Sequence, residues 1–381
     1  MIIGIDGTCL QGPQGEVGHY LTHLLEAMSH LLEEDKIYVW MNSPTSEEKA
    51  RVSENRFVSV AASHYPWAAL RMTWTTLGTP TMDSLIGRPP DVCFYPNYLA
   101  LPQKHGKKVI FVHDVLCFTH PEWVSEDWMK ALEGKLGKQG EQADLILTSS
   151  EYNRQVLLKH LPGIPEARVR VIYHGLAESF RKPAPPDKVK AARERYLLHH
   201  PYFLYTGPLE PSKNLLRLVH AFLLFKKTVA TEHELVLAGP RGKVGDDFVD
   251  FIQSPVLANK ARWLSNVPVG DLPALYTGAE AFVFPCMGEG FGMPVLEAMG
   301  CGTPVLCSTQ AALPEIVGDS AWMISPTSVA DWAKALERVV KEPAFKEVLR
   351  EKGRVRVSIF REENTAQQTL SALKMAAHGH A

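Results

Sequence analysis

The sequence predicts an α/β protein built as two doubly wound parallel-sheet domains joined by a linker. Three observations carry that prediction. Short, near-continuous apolar runs alternate with amphipathic stretches, the pattern of a parallel sheet covered on both faces. The alternation stops at a segment rich in proline and charge, residues 181–190 (RKPAPPDKVK), and then restarts. With 381 residues, 45% of them hydrophobic and 22% charged, the chain has the length and apolar content for two cores.

IIGID opens the chain as a strand. Residues 18–33 follow as an amphipathic helix, with Tyr20, Leu21, Leu24, Leu25, Met28 and Leu31 on one side. KIYVWM, RFVSV, DVCFYPN, KKVIFVHD, QADLILTSS and RVRVIYHG continue the strands, with a helix from Glu151 to His160 before the last. Beyond the linker, YFLYTG, HELVLAGP, AFVFP and TPVLCS read as strands, and NLLRLVHAFLLFKK and LPALYTGAE as helices. Residues 329–377 are helical by composition. Ligands of open parallel sheets bind beyond the carboxyl ends of the strands. HDVLCF and GEGFGMP fall at such ends, facing a cleft expected between the two domains.

Composition excludes several function classes. The formal net charge is −2 and no long basic run occurs, so nucleic acid is not expected as a partner. The six cysteines (Cys9, Cys93, Cys117, Cys286, Cys301, Cys307) form no CxxC pair, and most sit in apolar runs. They read as reduced and buried, which suits the cytoplasm. No window reaches the ~20 apolar residues of a spanning helix, and MIIGIDGT does not resemble a signal peptide. A soluble or at most peripheral protein, at the inner face of a membrane, is expected. Residues 66–86 combine Trp67, Leu70, Trp74 and Leu77 with Arg71. Such a helix either packs in the first core, the commoner case, or lies on a membrane surface. His19, His23 and His30 do not match HExxH, and no DxD occurs, so no metal is expected.

The densest signal is GEGFGMPVLEAMGCGTPVL, residues 288–306. Pro294 suits the first turn of a helix, where its missing N–H has no helical partner. The glycines at 288, 290 and 292 permit tight turns and close approach of backbone to a ligand. The N–H groups of Phe291, Gly292 and Met293, with the positive end of the helix behind them, suit a phosphate. Glu289 in the loop and Glu297 one turn into the helix suit the hydroxyl groups of a nucleotide sugar. A solvated glutamate pair beside a packing turn satisfies the same spacing.

This stretch resembles the donor signature of retaining family 4 glycosyltransferases: a glutamate, seven residues, a second glutamate, with GFG-x-P between. Further motifs fall in the family's order: IGIDGTCL with GEVGHY, VIFVHDVLCFTHPEW, ADLILTSSEYNRQ, VRVIYHG, GPLEPSKNL, LVLAGPRG, DLPALY and FREENTAQQTL. The resemblance therefore spans the chain. It implies the glycosyltransferase type B fold, with two Rossmann-like domains and a last helix that crosses back to the first domain. The implied domains are residues 1–182 with a helix at about 360–381, and residues 190–358.

Carried over, Glu289 and the amides of Phe291, Gly292 and Met293 hold the transferred sugar, Pro294 starts the helix, and Glu297 holds the ribose. Lys213 neutralises the departing diphosphate, and His113 stands near the donor sugar or the acceptor; Asp114, from its own position, fixes the loop or caps the segment that follows. Backbone near Gly207, Gly239 and Val267 is expected at the nucleotide. Gly15 and Gly18 are expected to form a glycine turn before the first helix. The implied activity is metal-independent transfer of a hexose from a nucleotide diphosphate sugar, UDP-linked before GDP-mannose, to a saccharide or lipid-linked saccharide acceptor. Domain closure about residues 181–190 is expected to exclude water. The nucleotide sugar is a substrate, and no cofactor is implied. The chain departs from the family where an arginine is usual: Pro208 and Ser212 stand there, leaving Lys213 alone or helped by Arg217 or Arg241. That departure keeps a second reading open, a non-catalytic nucleotide-sugar-binding partner subunit. A dinucleotide-dependent enzyme is the third, but GIDGTCLQGPQG lacks the GxGxxG spacing.

Overall fold

In the computed structural model, residues 1–12, 15–52, 54–126, 129, 135–258 and 260–379 are described. They divide into two units, Met1–Gly175 with Arg361–Ala381, and Leu176–Phe360.

The first unit holds seven strands: β1 (Ile2–Asp6), β2 (Lys36–Asn42), β3 (Val58–Ser63), β4 (Val92–Tyr95), β5 (Lys107–Val112), β6 (Leu145–Thr148) and β7 (Val169–Val171). All pair in parallel, in the order β3-β2-β1-β4-β5-β6-β7. Side chains alternate between the two faces, as a pleated strand requires. Ile3, Ile5, Phe94, Val109, Phe111 and Leu147 enter one core, with Leu21, Leu24, Leu25 and Met28 of helix Glu16–Ser29. Cys93, Tyr95, Ile110, Val112 and Ile146 enter the other, with Leu70, Leu85, Ile86 and Leu157. Helix Glu362–Ala377 brings Ala366, Leu370, Leu373 and Ala376 to the first of these cores, so the last helix belongs to the first unit. Residues 380 and 381 of the expected terminal helix lie outside the described residues.

The second unit has β8 (Tyr202–Thr206), β9 (Glu234–Ala238), β10 (Ala261–Leu264), β11 (Ala281–Phe284), β12 (Val305–Ser308) and β13 (Trp322–Ile324). The order is β10-β9-β8-β11-β12-β13, again parallel. The strand order reverses between β8 and β11, and the loops leaving those strands flank the switch point where such sheets bind ligands.

Two local expectations change. Of the expected linker, residues 181–185 form neither helix nor strand, whereas Pro186 starts helix Pro186–Arg195, with Pro185 as its cap. Pro186, which suits a linker equally well in sequence, occupies the first helical position, where proline is tolerated. The contact boundary falls earlier, between Gly175 and Leu176. Residues 66–86 form two helices, Trp67–Thr76 and Met82–Ile86, with Gly78 at φ +63° and Pro80 between them. Leu70 is buried, while Tyr65, Trp67, Met72 and Leu77 are exposed. No helix among the described residues is long and apolar enough to cross a membrane, and they hold no cluster of potential metal ligands. All six cysteines are free thiols; five are buried and Cys9 is half-buried.

Candidate functional site

β8 delivers the chain to Gly207, which lies at φ +130°, and β9 delivers it to Gly239, at φ +151°. Both conformations favour glycine. A Cβ on Gly239 would stand 2.1 Å from the Gly207 carbonyl oxygen, so the two turns pack backbone to backbone. The Gly239 N–H donates to Leu264 O at 2.9 Å, and its carbonyl accepts from the Trp263 indole at 2.9 Å. Gly239 is thus engaged by β10 through both main-chain groups. Val267 lies in the loop beyond β10 and is half-buried.

After Gly207 the chain makes a short 3-10 turn, Pro211–Lys213, and Asn214 at φ +57° begins helix Leu215–Thr228. The Asn214 amide donates to Pro285 O at 3.1 Å and Pro326 O at 2.8 Å. The Met287 N–H donates to Ser212 O at 2.8 Å. These bonds fasten the loop after β8 to the loop after β11 and bring Lys213 to Glu289. Lys213 Nζ donates to Glu289 Oε2 at 2.7 Å, and the two side chains are 11% and 12% exposed. The ammonium also lies 5.6 Å from the centre of the Phe284 ring, within cation–π range.

Gly292, at φ +102°, caps helix Met293–Gly300, with Pro294 in its first turn. A Cβ on Gly292 would meet Leu313 Cδ2 at 2.8 Å, so glycine is required by space as well as by conformation. The first N–H groups of a helix have no intrahelical acceptor, and Met293 opens this one. Phe291 turns its side chain into the core against Phe360, ring centres 5.9 Å apart. It can therefore serve a ligand through its backbone alone. Glu297 lies in the second turn and accepts a hydrogen bond at 2.7 Å from the buried Tyr276 hydroxyl. Burial and the neighbouring Glu297 carboxylate push the Tyr276 phenol well above its usual pKa.

Neither arginine considered as a substitute cation stands unengaged. Arg217 donates to Asn214 Oδ1 at 2.8 Å, and Arg241 is paired with Asp246. The backbone of Arg241 pairs with Leu209, four residues before Lys213.

The remaining expected site residues lie in the first unit. His113, at the end of β5, has both ring nitrogens on protein atoms: Nε2 to Pro96 O at 2.7 Å and Nδ1 to His174 Nε2 at 3.4 Å. It stacks on Phe111 and His174 at 4.4 and 5.3 Å. Burial lowers its pKa to about 4, so the ring is neutral and Nε2–H is the donor to Pro96. A sugar contact at His113 would have to displace the long bond to His174. The Tyr98 hydroxyl donates to Asp114 Oδ2 at 2.7 Å, and Asp114 Oδ1 accepts from Leu116 N–H, holding the loop. Gly15 caps helix Glu16–Ser29, whereas Gly18 is its third residue and is buried, so only the first of the two belongs to the turn.

DLPALY is visible in the sequence as a motif, but nothing there marks Tyr276 as a partner of Glu297, or Thr206 as its 2.5 Å neighbour. The available signal was polarity, a hydroxyl in each of two buried elements.

Comparison with known proteins follows the same residues. The family profile described as "Glycosyl transferases group 1" matches residues 190–356. The O-antigen chain mannosyltransferase B of Escherichia coli is 31% identical over 280 residues, 74% of this chain and 73% of that protein. The serotype-specific mannosyltransferase WbdA of Escherichia coli is 30% identical over 232 residues, 59% of this chain but 28% of that longer protein. The crystal structure of Anabaena Alr3699/HepE in complex with UDP and glucose superposes with a TM-score of 0.72 at 17% identity, covering 98% of this chain and 99% of that one. That likeness shows a shared type B fold.

Proposed function

Because the chain belongs to the group 1 glycosyl transferases, we propose that it moves a hexose, mannose first, from a nucleoside diphosphate sugar to a saccharide acceptor in polysaccharide synthesis. The observation that carries this reading is the meeting of Lys213 and Glu289, from loops 76 residues apart, at the strand ends flanking the switch point. A cation and a carboxylate held together there suit the two halves of the donor. Lys213 offsets negative charge on the departing diphosphate. Glu289 accepts hydrogen bonds from sugar hydroxyls, Glu297 accepts them from the ribose, and the start of helix Met293–Gly300 faces phosphate.

Transfer with retention, as the family resemblance implies, and with neither glutamate serving as nucleophile, leaves front-face substitution as the route. The bond from the anomeric carbon to the diphosphate oxygen breaks, and the acceptor oxygen bonds on the same face. The acceptor proton passes to the departing phosphate oxygen. Charge is borne by Lys213 and the helix, so no metal is invoked.

The donor order expected from sequence is reversed here, with GDP-mannose ahead of UDP-sugars, since both named relatives are mannosyltransferases. A lipid-linked acceptor and a cytoplasmic site at the membrane's inner face go with the reading. Support for membrane contact comes from Tyr65, Trp67, Met72 and Leu77, 46%, 39%, 62% and 72% exposed; co-sedimentation with anionic vesicles, lost on Trp67→Ser with Met72→Ser, tests it. The non-catalytic alternative is disfavoured, because Lys213, Glu289 and Glu297 are all in place.

The central test is titration of GDP, UDP, ADP and dTDP, with transfer assayed from GDP-mannose and UDP-glucose. One nucleotide should bind selectively. Glu297→Ala should lose that binding, and Glu289→Ala should keep it while losing transfer. Equal nucleotide affinity in wild type and both variants would sink the assignment.

A further inference from the structure

We infer that Tyr276 is a positioning residue for the donor nucleotide: its hydroxyl fixes the Glu297 carboxylate in the orientation that receives the ribose diol. The inference rests on the assignment of Glu297 to the ribose.

Tyr276 lies in helix Leu272–Gly278 and is fully buried, so it acts on a ligand through the groups it touches. Its hydroxyl has one proton to give. Glu297 Oε2, 2.7 Å away, accepts the hydrogen bond that this proton makes. The 2.5 Å contact between Tyr276 and Thr206 must then be donated by Thr206 Oγ1. Direction therefore runs one way, from Thr206 to Tyr276 to Glu297. Thr206 is the last residue of β8 and directly precedes Gly207. The relay ties the carboxylate to the strand that also leads to Lys213.

The ring at the centre of the relay is held on several sides. Phe180 and Phe282 make edge contacts at 6.1 and 5.4 Å. Its backbone carbonyl accepts from Thr303 Oγ1 at 2.6 Å. The phenol, raised well above its usual pKa, keeps its proton throughout the neutral range. A glutamate on a helix otherwise samples several rotamers, and ordering it on binding opposes affinity. Pinning one carboxylate oxygen in advance removes part of that cost.

The experiment measures affinities of the full chain for GDP and UDP and for their 2′,3′-dideoxy forms, in wild type, Tyr276→Phe, Glu297→Ala and the double variant. Thr206→Val is a second, independent break in the relay. Tyr276→Phe should weaken the nucleotide that wild type binds by roughly tenfold, leave its dideoxy form unchanged, and add nothing in the Glu297→Ala background. Thr206→Val should give a smaller loss, about threefold, with the same dependence on the ribose hydroxyls. If Tyr276→Phe binds like wild type while Glu297→Ala is weakened, the positioning role alone fails. Equal weakening of ribo and dideoxy forms, or full additivity with Glu297→Ala, likewise overturns it as a merely structural effect. If Glu297→Ala binds like wild type, or wild type binds neither nucleotide, the ribose assignment itself fails, and the inference with it.

Discussion

Lys213 and Glu289 offer the sharpest test of the site, because one bond joins two loops and two proposed roles. Lys213→Met keeps the aliphatic stem over Phe284 and removes the charge; Glu289→Gln keeps the shape and removes the opposite charge. Their side chains are 11% and 12% exposed, so most of the pair is withdrawn from water. Removing one partner of a buried pair costs about 3–5 kcal/mol, and the remaining exposure places each variant near about 3 kcal/mol. A unit of this size loses about 2–4 °C per kcal/mol. Each single variant should therefore lower the melting temperature of the second unit by about 6–12 °C. The double variant should fall less than the sum, with a coupling of about 2 kcal/mol, the range of a charge-assisted hydrogen bond. Calorimetry of the four proteins reads this directly, and transfer in either single variant should fall by about 100-fold or more. Additive melting shifts, with coupling under about 0.5 kcal/mol, would refute the pairing in solution.

Two further perturbations separate space from chemistry. Gly239→Ala, whose Cβ would lie 2.1 Å from the Gly207 carbonyl, should cost more than about 4 kcal/mol or abolish soluble protein. Gly15→Ala meets nothing within 4 Å and should change stability by under about 0.5 kcal/mol; any loss of transfer there would report on the loop's function. In the first unit, His113 has its pKa lowered to about 4 by burial, from an ordinary 6.5. Between pH 6.5 and 4 the unfolded chain binds a proton that the folded ring does not. Stability is therefore full above pH 6.5 and falls by about 1.4 kcal/mol per unit below it, about 3 kcal/mol in all. Asp6, raised to about 6 by burial, acts with the opposite sign, but it is common to wild type and His113→Gln. His174, hydrogen-bonded to His113 and held well below its usual pKa by burial and by that neighbour, shifts with the variant, so the stability difference between those two proteins should change in that direction across pH 6.5 to 4, and a pH-independent difference would contradict it.

Much of the second sheet was legible because β8, β9, β11 and β12 are buried along their whole length and so read as near-continuous apolar runs, with polar residues (Thr206, Glu234, Ser308) only at strand ends. β10 and β13, at the two edges, were not singled out. Arg262 and Trp322 sit half-exposed there, and an edge strand need not show a continuous apolar run. The 181–190 segment misled because Pro185 and Pro186 suit a helix start as well as a linker. At the site, glycine spacing and Pro294 announced the loop and helix, and Lys213, Glu289 and Glu297 were each visible. Their partners were not. Lys213–Glu289 spans 76 residues and Tyr276–Glu297 spans 21, and a single sequence carries no signal for such pairings. His113 was legible as a strand-end histidine, but its bonds to Pro96 and His174 depend on chain folded from three separate segments.

Helix Glu362–Ala377 supplies Ala366, Leu370, Leu373 and Ala376 to the core built around β1, so the first unit is assembled from both ends of the chain. During synthesis the seven strands are made first, yet the apolar face awaiting that helix stays open while residues 176–360 are translated. At ~5–20 residues per second the wait is on the order of 10–40 s. The second unit, a continuous stretch, can complete itself on the ribosome in the meantime. A stop codon shortly after Phe360 should thus spare the later-made unit and leave the earlier-made one exposed to chaperones and proteases, the reverse of the usual penalty for a C-terminal truncation.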